Sequence, residues 1–280
     1  MGLIKQLISN FVGSNTAIFY PKLHKKKAVI INDIDFGHIL EGKEVLITGG
    51  SSGIGLAVAK KMVQCGAKVT IIGRDPEKTS KVASEIGCGH ILLDLTDTHE
   101  LITKISEFLA DRKLDILVNS AGVNDKEQWL EKTPENFDMV MNTNLKAAYF
   151  MCQTVAKHML DNKIEGHILN VSSSSSMRPS WGPYQLSKRA MNGMTLGFAK
   201  RLAPYGITVN GLAPGVTMTP MASNFVDDNE NLAYFNPIRR AETPEEIANL
   251  AIFLASNLGT SIVGDTVMIS GGSGILSESY

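Results

Sequence analysis

From about residue 43 onward, short runs of apolar and β-branched residues alternate with longer amphipathic stretches. Short buried runs separated by amphipathic helices are typical of a parallel sheet that is covered on both faces. We therefore predict an α/β, doubly wound (Rossmann) fold with helices on both faces of the sheet. Its seven predicted strands are Glu44–Thr48, Lys68–Ile72, His90–Leu93, Ile116–Asn119, His167–Val171, Thr208–Leu212 and Thr266–Ile269.

Local signals at helix starts agree with this pattern. Pro76 suits the first turn of a helix, and Thr243 precedes a proline and two acids. Proline and acids are favoured in a first turn, and threonine is a good N-cap. Helices are therefore predicted to begin at these two points.

Residues 1–40 precede the first predicted strand and match no strand–helix unit. They contain an apolar face at helical spacing, formed by Leu3, Ile4, Leu7, Ile8, Phe11 and Val12. We predict an appended segment with an amphipathic helix that packs on the protein, on a partner subunit or weakly on a membrane. Residues 41–280 are predicted to form one domain.

A stretch of mixed polarity, residues 217–237, directly follows the end of the sixth predicted strand. Long insertions at the carboxyl edge of a parallel sheet commonly cover ligands. We predict a substrate lid there, with an ordinary surface loop as the alternative.

The composition favours a globular protein that handles small molecules. The chain has 280 residues, and its 44% hydrophobic share is enough for one full core. A net charge of −1 with interspersed signs provides no field for nucleic acid. No apolar run approaches the roughly 20 residues of a membrane-spanning helix. We expect a cytoplasmic protein, with weak peripheral membrane contact through the N-terminal helix left open.

The three cysteines, Cys65, Cys88 and Cys152, are scattered and lie in no metal-binding spacing. Reduced thiols packed as small apolar groups are the expected state. No metal site is predicted.

Tyr184 and Lys188 are the strongest candidates for chemistry. Residues four apart share one helix face. A phenol has a pKa of about 10, and a neighbouring ammonium favours the phenolate. The pair is therefore a candidate acid/base centre in which Lys188 lowers the pKa of Tyr184.

A glycine-rich turn follows the first predicted strand and precedes a helix. Its sequence from Thr48 to Gly55 has the spacing T-G-x-x-x-G-x-G, with Gly49, Gly53 and Gly55 as its glycines. Small residues let the backbone approach a pyrophosphate, and the helix N-terminus favours its charge. This turn is a candidate dinucleotide site.

Five segments taken together resemble the short-chain dehydrogenase/reductase family, in its compact T-G-x-x-x-G-x-G and Y-x-x-x-K form. They are Thr48–Gly55, Asn119–Gly122, Ser173, Tyr184–Lys188 and Pro214–Gly215, and the match runs in order through about residues 43–275.

This resemblance implies four catalytic residues: Asn144, Ser173, Tyr184 and Lys188. Tyr184 would exchange the proton at the substrate oxygen, and Ser173 would polarise that oxygen. Lys188 would lower the pKa of Tyr184 and hold the ribose hydroxyls, while Asn144 would support a water relay to Lys188. Because five serines run together from Ser172 to Ser176, Ser172 and Ser174 remain alternatives to Ser173.

The resemblance also implies a set of cofactor-binding residues. Asp94 would meet the adenine, with a helix cap as its alternative role, and Val216 and Thr219 would lie beside the nicotinamide. Ser120 occupies a position where the family commonly has asparagine. The full set is Gly49, Ser51, Ser52, Gly53, Ile54, Gly55, Arg74, Asp94, Leu95, Asn119, Ala121, Gly122, Tyr184, Lys188, Pro214, Gly215, Val216 and Thr219.

The end of the second strand favours NADP(H) over NAD(H). An acid at that place accepts hydrogen bonds from the ribose in NAD sites. Here Gly73 stands at that place, and the guanidinium of Arg74 suits a 2'-phosphate. Asp75 is the counter-argument, because a shift of one residue would bring it to the ribose.

The sequence therefore predicts an NADPH-dependent oxidoreductase that reversibly reduces a ketone or aldehyde to an alcohol, with Tyr184 as the acid/base. The alternatives are a 3-oxoacyl thioester reductase of lipid synthesis and a catalytically silent NADP(H)-binding sensor or scaffold. Met177, Pro179, Trp181 and Pro183 are expected to line the substrate side.

The resemblance further implies assembly as a homotetramer or homodimer through the helices that carry Asn144 and Tyr184. The apolar residues proposed for that interface are Leu145, Ala148, Phe150, Met151, Val155, Met159, Ala190, Met194, Leu196 and Phe198.

Overall fold

The computed structural model describes residues 34–125, 127–222 and 236–276. Within these ranges the chain forms one parallel sheet in the order β3-β2-β1-β4-β5-β6-β7. The predicted doubly wound, seven-stranded sheet is confirmed. The strands are β1 (Glu44–Thr48), β2 (Lys68–Gly73), β3 (Gly89–Leu92), β4 (Ile116–Asn119), β5 (His167–Val171), β6 (Thr208–Pro214) and β7 (Thr266–Ile269).

The strand ends differ from the predictions by one or two residues. β2 extends to Gly73, β3 begins and ends one residue early, and β6 continues to Pro214. Pro214 lies opposite Ile269 of the edge strand β7, and the Gly215 amide donates to the carbonyl of Ile269. A proline at a strand end still offers its carbonyl, so the ladder tolerates it.

The helices in the described ranges are α1 (Gly53–Gln64), α2 (Pro76–Ile86), α3 (Thr98–Leu109), α4 (Pro134–Met141), α5 (Ala147–Asp161), α6 (Pro183–Leu202) and α7 (Pro244–Leu254). Two predicted helix starts are confirmed. Asp75 caps α2, and Thr243 forms a reciprocal capping box with Glu246 at the start of α7.

Two apolar layers enclose the sheet. One side of the sheet packs against α1, α2 and α7, and the other packs against α3, α5 and α6. Successive residues of β1 show the alternation, since Val45 and Ile47 join the first layer and Leu46 joins the second. Burial on both faces explains why the central strands β1, β4, β5 and β6 are mostly apolar.

The connections reverse direction between β1 and β4, which are neighbours in the sheet. Thr48 lies level with Ile72 on one side and with Asn119 on the other, and Asn119 lies level with Asn170. A crevice opens at such a reversal, at the carboxyl ends of the strands. The predicted motifs at the strand ends therefore meet at one edge.

The described part of the N-terminal segment packs on this domain. Leu40 is buried, its amide donates to the carbonyl of Cys65 at the end of α1, and the ammonium of Lys61 lies 5.6 Å from the ring centre of Phe36. The predicted amphipathic helix at residues 3–12 lies outside the described residues. Most of the predicted lid, residues 223–235, lies outside them too.

Thr48 joins the glycine turn to the end of β4. Its hydroxyl accepts hydrogen bonds from the amides of Ser120 and Ala121, both at 3.1 Å. Thr48 is 2% exposed, so water is a poor replacement for that oxygen. This one side chain holds two cofactor-side segments in register.

Replacing Thr48 by valine keeps the shape and removes the acceptor from two partly buried amides. We expect Thr48→Val to lower the free energy of unfolding by about 2–4 kcal/mol, measured as a shift of the urea midpoint at constant slope. Thr48→Ser keeps the oxygen and is the matched control. Equal stability of the Val and Ser variants would contradict this role for the hydroxyl.

Candidate active site

A cleft of about 410 Å³ opens at the carboxyl edge of the sheet. It brings together the glycine turn, the end of β4, the serine loop after β5, the start of α6 and the segment after β6. The predicted residues that line it are Gly49, Ser52, Gly53, Ile54, Gly55, Ala121, Gly122, Ser173, Tyr184, Lys188, Pro214, Gly215, Val216 and Thr219.

The glycine turn is packed so closely that side chains are excluded. Gly49 has a φ of 66°, and a Cβ there would lie 2.8 Å from the Cα of Ala121. A Cβ on Gly55 would lie 2.4 Å from the carbonyl oxygen of Gly49. Both positions therefore require glycine.

The start of α1 is suited to an anion. Ser52 is the N-cap, yet its side chain makes no capping hydrogen bond, and the first turn carries no acid. The free amides and the helix dipole together favour negative charge at this point. The turn fits the pyrophosphate of a dinucleotide.

Tyr184 and Lys188 lie in the first turns of α6 and face the cleft. The ammonium of Lys188 is buried, donates to the carbonyl of Val171 at 2.7 Å, and lies 5.8 Å from the ring centre of Tyr184. The two residues are thus neighbours, as their spacing predicts.

Burial shifts both groups toward their neutral forms. Loss of solvation around the phenol raises the pKa of Tyr184, and the neighbouring Ser173 acts in the opposite direction. Burial lowers the pKa of Lys188 to about 8. The expected lowering of the pKa of Tyr184 by Lys188 is therefore not seen in this structure, because loss of solvation disfavours phenolate and ammonium alike.

The serines of the run differ in exposure, although Ser172, Ser173, Ser174 and Ser175 all border the cleft. Ser173 and Ser175 are partly exposed in the cleft, and their hydroxyls lie 2.7 Å apart. Ser172 is buried and donates to the side chain of Asn192 and the carbonyl of Lys188. Ser174 is also buried. Of the three candidates, Ser173 is the one that is partly exposed in the cleft and acts on the pKa of Tyr184.

Asn144 lies in a π-helical turn, Asn142–Lys146, between α4 and α5. Its side chain accepts from the amide of Val123 at 2.8 Å and donates to the carbonyl of Val123 at 2.9 Å. A Cβ on Gly122 would lie 3.4 Å from Asn144 Oδ1 and 3.6 Å from Lys188 Nζ. Gly122 therefore lies between the side chains of Asn144 and Lys188, two of the predicted catalytic residues. The π-helical turn that carries Asn144 is a feature often found at functional sites.

Arg74 and Asp94 lie beyond the described cleft lining, at the ends of β2 and β3. Arg74 is exposed and helps to lower the pKa of Asp94, whose main partner is the backbone amide of Thr96. Asp94 closes a turn with Thr96, and Asp97 rather than Asp94 caps α3. The alternative role of Asp94 as a helix cap is therefore wrong.

The end of β2 has no room for an acid. A Cβ on Gly73 would lie 2.2 Å from Thr79 Oγ1. Oδ1 of Asp75 accepts from the amide of Lys78, so this carboxylate acts as the N-cap of α2.

Three other predicted cofactor residues do not line the described cleft. The side chain of Asn119 turns into the core, where it donates to Asn170 Oδ1 at 2.9 Å. Leu95 is buried, and Ser51 stays on the outer side of the glycine turn. The alternation of side chains at a strand end explains Asn119, since its neighbour Ser120 faces the cleft instead.

Sequence reasoning missed several polar residues of the cleft: Asn124, Ser175, Arg178, Gln185 and Ser273. Arg178 donates to the hydroxyl of Ser273 at 2.5 Å, which joins the serine loop to the segment after β7. Met177 and Trp181, expected on the substrate side, are 52% and 57% exposed and do not line the described cleft. Arg178 could have been predicted as a cleft residue, because it lies between Ser173 and Tyr184 along the chain.

In the described ranges, no group of three or more His, Cys, Asp or Glu side chains is arranged to hold a metal ion. None of the helices described there is long and apolar enough to cross a membrane.

An open parallel sheet with an anion-binding glycine turn and a Tyr–Lys pair in one cleft defines a class of dinucleotide-dependent oxidoreductases. A family model described as Enoyl-(Acyl carrier protein) reductase matches residues 49–274. The gluconate 5-dehydrogenase of Gluconobacter oxydans (strain 621H) is 33% identical over 244 residues, which cover 83% of this chain and 95% of that protein.

Solved structures of oxidoreductases are also similar to this chain. A 3-ketoacyl-(acyl-carrier-protein) reductase from Brucella melitensis complexed with NADH is 33% identical, with a TM-score of 0.77 over 84% of this chain and 100% of that chain. A Beutenbergia cavernae protein with bound NADP, described as a gluconate 5-dehydrogenase, is 31% identical, with a TM-score of 0.79 over 84% and 98%.

The chain belongs to the short-chain dehydrogenase/reductase family. It is an NAD(P)-dependent oxidoreductase that interconverts carbonyl and hydroxyl groups on small molecules.

Proposed function

We propose that this oxidoreductase uses Tyr184 as its acid/base, with Ser173, Lys188 and Asn144 as the other catalytic residues. The observation that carries the proposal is that Tyr184, Lys188 and Ser173 line one cleft together with the glycine turn. A bound nicotinamide supplies or accepts the hydride.

Tyr184 begins carbonyl reduction as a neutral phenol, the form that burial favours. It donates its proton to the substrate oxygen as negative charge develops there. Ser173 donates a second hydrogen bond to the same oxygen and stabilises that charge. In alcohol oxidation the same two groups act in the opposite order.

Lys188 and Asn144 support the proton transfer. With a pKa of about 8, Lys188 exchanges protons readily near neutral pH. Asn144, across Gly122, holds the loop at Val123 beside Lys188. Lys188 also suits the ribose hydroxyls, while the glycine turn suits the pyrophosphate and the Val216–Thr219 segment suits the nicotinamide.

Tyr184→Phe removes the transferable proton and little else. We expect carbonyl-dependent NADPH oxidation to fall by about 10²–10⁴-fold, with NADPH affinity nearly unchanged. Absorbance assays and fluorescence titration measure the two effects. Tyr205→Phe changes an exposed tyrosine and is the matched control.

The competing hypothesis is a catalytically silent sensor or scaffold. It gains support if the wild type binds NADPH but consumes none with ketones, keto-sugars, steroids or acyl thioesters. If the protein is catalytic, the loss of carbonyl-dependent NADPH oxidation in Ser173→Ala should be closer to that in Tyr184→Phe than the loss in Ser175→Ala is.

We infer a preference for NADP(H) over NAD(H). Arg74 is exposed at the end of β2, where a guanidinium pairs well with a 2'-phosphate. Gly73 supplies no carboxylate, and Asp75 is engaged through Oδ1 as the cap of α2. The related structures with NADP and with NADH show that the family accommodates both.

Arg74→Ala should raise the Michaelis constant for NADPH by about 10-fold or more and change that for NADH little. The reason is that NADH lacks the phosphate that Arg74 would pair with. Lys78→Ala, on the exposed side of the following helix, is the control for general loss of positive charge. Equal effects of Arg74→Ala on both cofactors would contradict the assignment.

The runner-up substrate class is a 3-oxoacyl thioester, because a related structure is a 3-ketoacyl-(acyl-carrier-protein) reductase. The general ketone or aldehyde substrate remains our first proposal. A cytoplasmic location also remains a proposal.

We further propose assembly as a homotetramer or homodimer. Of the residues expected at the interface, Ala148, Met151, Val155 and Met159 are buried within this chain, so they belong to its own core. The outward faces of α5 and α6 instead offer Tyr149, 43% exposed, and Leu196, 61% exposed. Between these helices runs a groove with Leu145 and Met194.

Light scattering after size-exclusion chromatography should show a tetramer or dimer. Leu196→Lys should shift the oligomeric state toward monomer, because burying an unpaired charge in an apolar interface is costly. Leu130→Lys, which changes a loop residue that is 76% exposed, is the control. A wild-type monomer would refute the assembly.

A further inference from the structure

Glu242 is a buried acid that belongs to none of the sequence motifs. It is 2% exposed and precedes α7. Its Oε2 has no hydrogen-bond partner among the described residues, and a Cβ on Gly215 would lie 2.9 Å from it. One carboxyl oxygen is therefore pressed against the segment that follows β6.

The backbone of Glu242 is tied to the same segment. Its amide donates to the carbonyl of Val216, and its carbonyl accepts from the amide of Met218, both at 2.9 Å. Thr217 pairs with Glu242 as an isolated parallel bridge. Gly215, Val216 and Thr217 line the cleft, so a movement of Glu242 reaches the cleft directly.

The other carboxyl oxygen is held by Asn236. Asn236 Nδ2 donates to Glu242 Oε1 and to the carbonyl of Arg240, both at 2.8 Å. Asn236 is 1% exposed and lies at the far end of the predicted lid. Glu242 thus connects the start and the end of the lid segment.

Two charged groups among the described residues act on Glu242. Arg240 forms a two-pronged ion pair with Glu246, at 2.7 and 2.8 Å. Glu246 raises the pKa of Glu242 and Arg240 lowers it, so their effects oppose each other. The Gly215–Met218 segment and Asn236 bring no charge. Burial dominates and raises the pKa of Glu242 to about 7, against the hydrogen bond from Asn236, which lowers it.

We propose that Glu242 is a positioning residue for the cofactor, whose uncharged carboxyl holds the Gly215–Met218 segment in place and whose ionisation loosens it. The proposal rests on the assignment of that segment to the nicotinamide side. A buried carboxylate with an unpartnered oxygen is costly. Hydration of this oxygen requires the contacts around it to open, and one of them is with Gly215, which lines the cleft.

The sign of the pH effect follows from the raised pKa. The proton is present below about pH 7 and is lost above it. Wild-type affinity for NADPH should therefore fall on the order of tenfold between about pH 6 and about pH 8. In Glu242→Gln the amide cannot ionise, so this loss should be absent.

Fluorescence titration with NADPH across this pH range tests the proposal. Because the 2'-phosphate also titrates, the measured quantity is the difference between wild type and Glu242→Gln, repeated with NADH. Glu245→Gln changes an exposed acid three residues away and should follow the wild type. Glu242→Gln affinity that follows the wild type at every pH would overturn the proposal.

A second variant keeps the test decisive if Glu242→Gln does not fold by circular dichroism. Asn236→Ala removes a donor that stabilises the carboxylate, so the pH midpoint should move upward. An unchanged midpoint would count against the role of Glu242. Failure of the wild type to bind NADPH or NADH at any pH would instead refute the proposed cofactor site.

Discussion

The close approach of the glycine turn to the end of β4 is the constraint on which the rest of the site depends. Gly49 and Ala121 come so near that a Cβ on Gly49 would lie 2.8 Å from the neighbouring Cα. The hydroxyl of Thr48 holds the same two segments together. The first residues of α1 and Ala121 consequently line the same cleft, where the amides of the helix start favour an anion.

A polar network inside the core places α6, which carries Tyr184 and Lys188, relative to that crevice. Asn170 accepts from Asn119 at 2.9 Å and donates to Thr195 of α6 at 3.0 Å. Ser172 donates to Asn192, which in turn donates to Ser176. These buried hydrogen bonds help to specify one arrangement of strand, serine loop and helix. The cleft-facing position of Ser173 follows from that arrangement.

Three ionisable groups beside the cleft share one physical condition. Burial shifts Tyr184, Lys188 and Glu242 toward their neutral forms. Loss of solvation disfavours a charge of either sign. The neutral phenol is a proton donor, the pKa of Lys188 is brought close to neutrality, and Glu242 couples pH to a loop. One property of the fold thus underlies both the proposed proton transfer and the proposed effect of pH on the cleft.

The amino-acid sequence alone determined the sheet. Buried parallel strands are short apolar runs, whereas amphipathic helices repeat their apolar residues at helical spacing. It also located the Tyr184–Lys188 pair and the glycine turn, since spacing along one helix or one turn is a local property. Only the tertiary structure could separate Ser173 from Ser174, turn Asn119 into the core and assign Asp75 to a helix cap. It alone revealed Glu242, because burial and the contact with Gly215 depend on segments that meet only when the chain folds.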